Sequence, residues 1–523
     1  MTTTALAAGA QRAPVAGALR PSRPATRKIA HLLAADLRRQ ILGGELAVDQ
    51  QLPPEAELTT AFQVSRETLR EALRILESQS LLEIRRGRGG GAVVRRPGIS
   101  SVGRYVALLL QLRGTTVAHL EEARTVIEPP AAEHLAVNCS QKRLDYLVSL
   151  HDNERAAEGD PLSFTTAVAF FDQAVTALSG NRSIAVIAGI LRDIYAGQVY
   201  TAVGASDSAL AERVARRVAA GHSEFLQAVQ RRDGAAAHRA WTSYLSTTSR
   251  MLVTRSRSRQ PLDVVPLWRA QISHAGTGEP RRMATAVATE IRARIAEGRL
   301  GDGDRLPPLA DLAREFGVSR PTLREALRIL ETESLLELRT GDRGGARVHH
   351  PSTQVAAQLT GTVLAARQTT LADFHQAVCM IEPAMMGLAA TRMDPASLAE
   401  LESLAAELAA SAEDFPRFAE IRRRGVLTAF AATRNPALGV IAEILQWVRA
   451  GIQQALTPPP EDPAIRVANH IIPLFAELVA AFADADSARA RQVWAACLEG
   501  SAPFLTARAL GPRMMIDLID LID

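Results

Sequence analysis

The chain has 523 residues, 47% hydrophobic and 22% charged, an ordinary soluble globular composition long enough for three to four domains. No apolar run approaches the ~20 residues that span a bilayer, and the first residues lack the basic-then-apolar order of a secretory leader. Cys139, Cys379 and Cys497 are far apart, which argues against a disulfide framework or zinc ribbon and predicts a reducing, cytoplasmic setting. Net charge is +4, so an argument for nucleic acid rests on where the charge lies.

Residues 1–27 form a Pro/Ala-rich arm carrying Arg12, Arg20, Arg23 and Arg27 and no acid. It reads as disordered, either lying along phosphates or merely solubilising. Leu33, Leu37 and Ile41 then recur at i, i+4 and i+8, an amphipathic helix ended by Gly43-Gly44. Leu52-Pro53-Pro54 opens a short second helix with Leu58 and Phe62 inward. Ser65 is a good N-cap for a third helix, in which Leu69, Ala72, Leu73 and Leu76 make the buried stripe. Arg66 and Arg70 lie one turn apart at its start. "LLEIRR" and "GAVV" flank the Gly-rich "GRGGG" as a two-stranded wing. Ser65–Arg96 holds eight arginines against four glutamates. Three short helices and a wing predict a winged helix-turn-helix over 28–97. A helix N-terminus in the major groove offers arginine forks to guanine, and backbone N–H groups to phosphate. The alternative is a solvated helix laced with pairs such as Glu71–Arg74. Residues 98–254 continue as Ala/Leu-rich helical segments broken by polar turns such as "SGN". Residues 255–281 mix Ser, Pro, Gly and charge as a linker.

The organisation then repeats. "SRETLREALRILESQSLLEI" at Ser65–Ile84 returns as "SRPTLREALRILETESLLEL" at Ser319–Leu338, identical at sixteen of twenty positions. The same offset of 254 residues maps Leu52-Pro53-Pro54 onto Leu306-Pro307-Pro308 and Ile127-Glu128-Pro129 onto Ile381-Glu382-Pro383. One deletion later it maps Trp241 onto Trp494. This is duplication of a whole two-domain protein rather than a solenoid period. It gives a second winged helix-turn-helix at 282–351, a second helical domain at 352–511 and a tail at 512–523. The predicted fold is mainly α, two winged heads each followed by an all-α bundle.

The string "LPPEAEL…VSRETLREALRILE" resembles the reading head of GntR-type bacterial regulators over about 70 residues in each copy. The resemblance implies DNA contacts from Ser65, Arg66, Thr68 and Arg70, with Arg86 and Gly87 at the wing tip. It implies the same of Ser319, Arg320, Thr322, Arg324 and Gly341 in the second head. The family's arginine between the two glutamates is replaced by Ala56 and Ala310. Arg320–His350 holds six arginines against five acids, and Thr340 stands where Arg86 does, so the first head is expected to dominate affinity.

"EEARTVIEPPAAEHLA", "FFDQAVTALSGN" and "GHSEFLQAVQRRDGAAAHRAW" resemble the FCD effector domain of the FadR branch. Many such domains hold a divalent metal on one Asp and three His. The matching positions are Val168, Asp172, His222 and Tyr244 in the first copy, and Arg422, Val426, Phe475 and Cys497 in the second. That set predicts no metal and no cofactor. An apolar or carboxylate effector, acyl or lipid-like, is expected instead, with Arg124, Asp172, His222, Tyr244 and Arg422 as candidate ligand contacts. Arg422 either neutralises a carboxylate or snorkels to the surface. No Walker, Gly-x-Ser-x-Gly or His-Glu-x-x-His motif occurs, so an enzyme is not expected. The predicted function is a transcription regulator, a repressor, on an imperfect palindrome of double-stranded DNA. One chain would act as a pseudo-dimer, with a homodimer of chains and a non-sensing architectural protein as alternatives.

Overall fold

A computed structural model describes residues 26–85, 91–203, 208–252, 259–266, 268, 280–338, 345–455, 461–500, 511 and 514–515. The chain divides into one unit ending at Arg96 and a second from Pro97 onward.

The first unit is a single winged head. Helices α1 (Thr26–Gly43), α2 (Glu55–Phe62) and α3 (Arg66–Ser78) precede the antiparallel pair β1 (Leu82–Arg85) and β2 (Gly91–Val94). Leu33 and Leu37 of α1 are buried, as are Leu69, Leu73 and Leu76 of α3, the stripes that helical period prescribes. Arg38 is buried as well and donates from Nε to Gln79 Oε1 at 2.8 Å, tying α1 to the end of α3. The wing register sets Leu82 opposite Val94 and Ile84 opposite Ala92.

The second unit begins with α4 (Ile99–Leu112), α5 (Val117–Asn138), α6 (Gln141–Ala156), α7 (Pro161–Ala177), α8 (Arg182–Val203), α9 (Ser208–Gln230) and α10 (Gly234–Leu252). A second head follows: α11 (Pro280–Ala296), α12 (Leu309–Glu315), α13 (Arg320–Thr332), β3 (Leu336–Leu338) and β4 (Ala346–Val348). Arg292 takes the place of Arg38 and grips Glu333 at 2.8 and 3.0 Å. The second bundle is α14 (Thr353–Ala366), α15 (Leu371–Ala390), α16 (Pro395–Ala409), α17 (Phe415–Ala431), α18 (Pro436–Ala455), α19 (Glu461–Ala483) and α20 (Ser487–Glu499).

The two bundles pack on each other about a pseudo-two-fold axis. Asn181 Nδ2 donates to the Asp373 carbonyl at 2.7 Å and to Gln376 Oε1 at 3.0 Å. Its counterpart Asn435 donates to the His119 carbonyl and to Glu122 Oε2, both at 2.9 Å. The offset of 254 residues relates Asn181 to Asn435, His119 to Asp373 and Glu122 to Gln376, so the contact is isologous within one chain. Each asparagine oxygen meanwhile caps its own helix, Asn181 accepting from Ile184 N and Asn435 from Ala437 N. Arg392 adds an ion pair to Glu122, 3.0 Å between nitrogen and oxygen, without a counterpart in the other copy. Part of the linker is tied down. Leu262 N donates to the Thr115 carbonyl, and Leu262, Val264, Val265 and Trp268 are buried. Met515 N repeats that bond on Thr369.

Candidate functional site

In both heads the third helix begins on a serine cap. Ser65 Oγ accepts from Thr68 N at 3.1 Å, and Ser319 Oγ from Thr322 N at 3.3 Å. The Thr68 and Thr322 hydroxyls each lie 2.8 Å from the cap oxygen. Thr68 is buried and Thr322 half-buried, so these two threonines fix the helix start. Arg66, Arg70, Arg320 and Arg324 are exposed. They stand at the end of the helix where free N–H groups and the dipole favour phosphate. Arg70 rests on Glu55 at 3.0 Å; Leu309 occupies the equivalent of Glu55. An exposed pair of this kind is weak, about 0–1 kcal/mol, and yields readily to a base or phosphate. Arg86, Gly87 and Gly341 lie outside the described residues.

The first bundle brings Arg124, Asp172, His222 and Tyr244 into one buried network. Arg124 donates from Nε to Glu128 Oε1 at 2.6 Å and from Nη2 to Asp172 Oδ2 at 3.2 Å, over the Tyr195 ring. Tyr244 donates to Asp172 Oδ1 at 2.9 Å. His222 Nδ1 donates to Glu154 Oε1 at 2.9 Å, and Nε2 stands 3.4 Å from Asp172. Phe171 stacks on the imidazole with centroids 4.1 Å apart. Burial opposes charge on His222, but Asp172 and Glu154 together outweigh it and raise the imidazole to about 9. Burial likewise works against ionised Asp172, and His222, Arg124 and Tyr244 overcome it to hold the carboxyl below its ordinary value. Arg124, Asp172, Glu128 and Tyr244 are therefore paired within the bundle, while His222 Nε2, though 3.4 Å from Asp172, has no hydrogen-bond partner.

Three members escaped sequence reasoning. Glu154 lies between His222 and His151, whose Nδ1 is 2.9 Å away. Glu128 accepts from Trp241 Nε1 at 3.2 Å, and the second bundle repeats the bond from Trp494 to Glu382 at 3.0 Å. The repeated Ile-Glu-Pro and the aligned tryptophans were the available signal for that pair. His151 and Glu154 had none, because Ala405 and Leu408 stand at their places in the second copy.

The residues do not fit the metal of related domains. Val168 offers no donor, Tyr244 is a protonated phenol, and Asp172 is already held by Arg124 and Tyr244. His151, Glu154 and His222 do offer ligand atoms within 4.8 Å of one another. In this structure the Glu154 carboxylate is shared between the two imidazoles, with His151 Nδ1 and His222 Nδ1 each 2.9 Å from it.

Arg422, in the second bundle, is buried rather than snorkelled, and its Nε and Nη2 have no hydrogen-bond partner. Its Cζ lies 5.7 Å from the Trp494 ring centroid. Burial, reinforced by the charge of Arg449, pulls the guanidinium down to about 10. The neighbouring carboxylate, Glu382, is already engaged by Arg449 at 2.9 Å, Gln446 at 3.2 Å and Trp494.

The sequence matches the profile of bacterial regulatory proteins of the gntR family over residues 30–91 and 283–348, and that of the FCD domain over 119–247 and 373–500. The chain belongs to the gntR family. It is a tandem FCD-type member, with head and effector domain each present twice. Among relatives, the HTH-type transcriptional repressor NanR of Escherichia coli K12 is 27% identical over 236 residues, 44% of this chain and 86% of that protein. NanR of Cronobacter sakazakii is 28% identical over 161 residues, 30% of this chain and 61% of that protein, so that alignment spans under two thirds of the relative. A Streptococcus agalactiae GntR structure, 23% identical, covers 42% of this chain and 99% of its own, with a TM-score of 0.33. No helix among the described residues of this gntR-family chain is long and apolar enough to cross a membrane.

Proposed function

We propose that this gntR-family chain is a cytoplasmic transcription repressor that grips double-stranded DNA through two fused, unequal heads and is modulated by a small molecule in its helical bundles. The observation that carries the reading is a serine-capped helix start with two exposed arginines, present in both copies. Arg66 and Arg70 read one half-site and Arg320 and Arg324 the other, with base edges supplying specificity and phosphates supplying affinity. The isologous Asn181/Asn435 contact supports a chain that serves as its own dimer. Because the heads differ in charge, the operator is an imperfect palindrome. Enrichment of random-sequence duplexes on the full chain, followed by footprinting, tests this. A bipartite site is expected, and no enrichment even at low salt would sink the reading.

One observation favours a second reading. The closed network of the first bundle suits a scaffold as well as a sensor, which would make the protein an architectural DNA binder. DNA release that no small molecule alters would favour that alternative.

A further inference from the structure

The segment that joins the two copies runs along the first bundle and ends on the second head. Pro261 bridges Thr116, Leu262 N donates to the Thr115 carbonyl at 2.8 Å, and Gln198 Nε2 donates to the Asp263 carbonyl at 2.9 Å. Gln111 of α4 then ties this strap to the head. Its Oε1 accepts from Val264 N at 2.9 Å, and its Nε2 donates to the Ala296 carbonyl at 3.0 Å. Ala296 ends α11, where helical carbonyls have no partner within the helix. Further along, Trp268 N donates to the Val264 carbonyl at 3.3 Å. The Trp268 ring is 4% exposed and lies against Arg292, with 5.4 Å between Cζ and the ring centroid. Arg292 is the residue that holds α11 to the end of α13 through Glu333. Tyr105 of α4 adds a tie just past the head, accepting from Ser352 N at 3.0 Å. The other copy lacks these residues. By the offset of 254 residues Ala365 stands for Gln111, Ile452 for Gln198 and Leu359 for Tyr105, and residues 1–27, ahead of the first head, contain no aromatic.

We infer that Gln111 and Trp268 are positioning residues for DNA reading: they clip the second head to the bundle of the first copy and so fix how Arg320 and Arg324 are presented. The purpose of the clip rests on the regulator reading; the clip itself rests on the contacts. A cation stacked on an indole and shielded from water is held more firmly than an exposed one. An amide that accepts from one segment and donates to another loses both ties when it is truncated. A head held in place before it meets DNA gives up less orientational freedom on binding, so the clip favours a two-part site without touching a base.

Amide exchange of the full chain without DNA tests the clip. Trp268→Ala and Gln111→Ala should each speed exchange in α11 and α13 by about tenfold. Exchange in α1, α3, α5 and α15 should stay as in wild type, and Trp268→Phe should recover most of the protection. Second-head exchange as slow in both alanine variants as in wild type, or acceleration spread evenly over the chain, overturns the proposal. Binding tests the positioning. On a duplex with both half-sites each alanine variant should lose about tenfold in affinity. On a duplex with the second half-site alone, in an Arg66→Ala/Arg70→Ala background, each should match its parent. Unchanged affinity for the two-part duplex, or equal losses on both duplexes, overturns the positioning role. If wild type binds no duplex, the exchange measurement still decides the clip, and the failure belongs to the DNA-binding reading.

Discussion

At His222 the balance between burial and charge has a measurable consequence. An imidazole that titrates near 6.5 when unfolded and near 9 when folded contributes about 3 kcal/mol to stability. The folded pKa is the raised one, so the contribution is complete below pH 6.5 and is lost as pH climbs through 9. The urea midpoint of the full chain should fall between pH 6.5 and 9.5, and His222→Gln should flatten that stretch of the curve. A wild-type curve already flat there would show that His222 is neutral in the folded chain. At the reading helices, Arg70→Ala is expected to weaken operator binding by about 1–3 kcal/mol and relax one half-site. Arg324→Ala should cost less at the same salt, because the first head has the larger basic excess. Binding titrations in which Arg324→Ala costs more would reverse the assigned ranking.

Between elements, the asparagine turns do more than end helices. Asn181 and Asn435 each cap their own helix with the amide oxygen and donate across the bundle interface with the nitrogen. Replacing either by aspartate keeps the cap and deletes the donor. Asn435→Asp should be worse, since it sets a carboxylate against Glu122, whereas Asn181 faces the neutral Gln376. Thermal midpoints of the two variants test that order. The turn after α2 supports a second comparison. Gln63 sits in the left-handed region at φ 53°, where the second head has Gly317 at φ 62°. Gln63→Gly should slow amide exchange in α2 and α3, by up to about 1 kcal/mol of relieved strain.

Those turns also mark where sequence reading stopped. The "SGN" segment was legible as a helix break, because Ser, Gly and Asn in succession weaken a helical period, although single prolines such as Pro383 sit inside helices of this chain. Nothing local shows that an amide nitrogen will meet a carbonyl some 190 or 316 residues away in sequence. The heads were legible nearly residue by residue, since period, cap and wing are all local signals and occur twice. Arg124, Asp172, His222 and Tyr244 could be named through family resemblance, but their pairing could not. It depends on Glu154 arriving from α6, and on Trp241 of α10 meeting Glu128 of α5. Arg422 was open between surface and interior for the same reason, and its burial follows from how α17 packs.

For the whole molecule, duplication followed by divergence has left one fold with unequal parts. The backbone repeats even where residues do not: Asp49 and Gly303 both take positive φ, as do Gly180 and Arg434. The first copy has the more basic head and a bundle in which Arg124 pairs with Glu128 and Asp172, and the second has the less basic head and a buried guanidinium, Arg422, whose Nε and Nη2 have no hydrogen-bond partner. Under the proposed function, such a chain is expected to read two different half-sites. The most direct test is footprinting on the enriched duplex with wild type, Arg66→Ala/Arg70→Ala and Arg320→Ala/Arg324→Ala full-length chains. Each double variant should lose protection over one half-site and keep the other. Loss of both half-sites from changes in one head, with none from the other, would contradict a chain that carries two working heads.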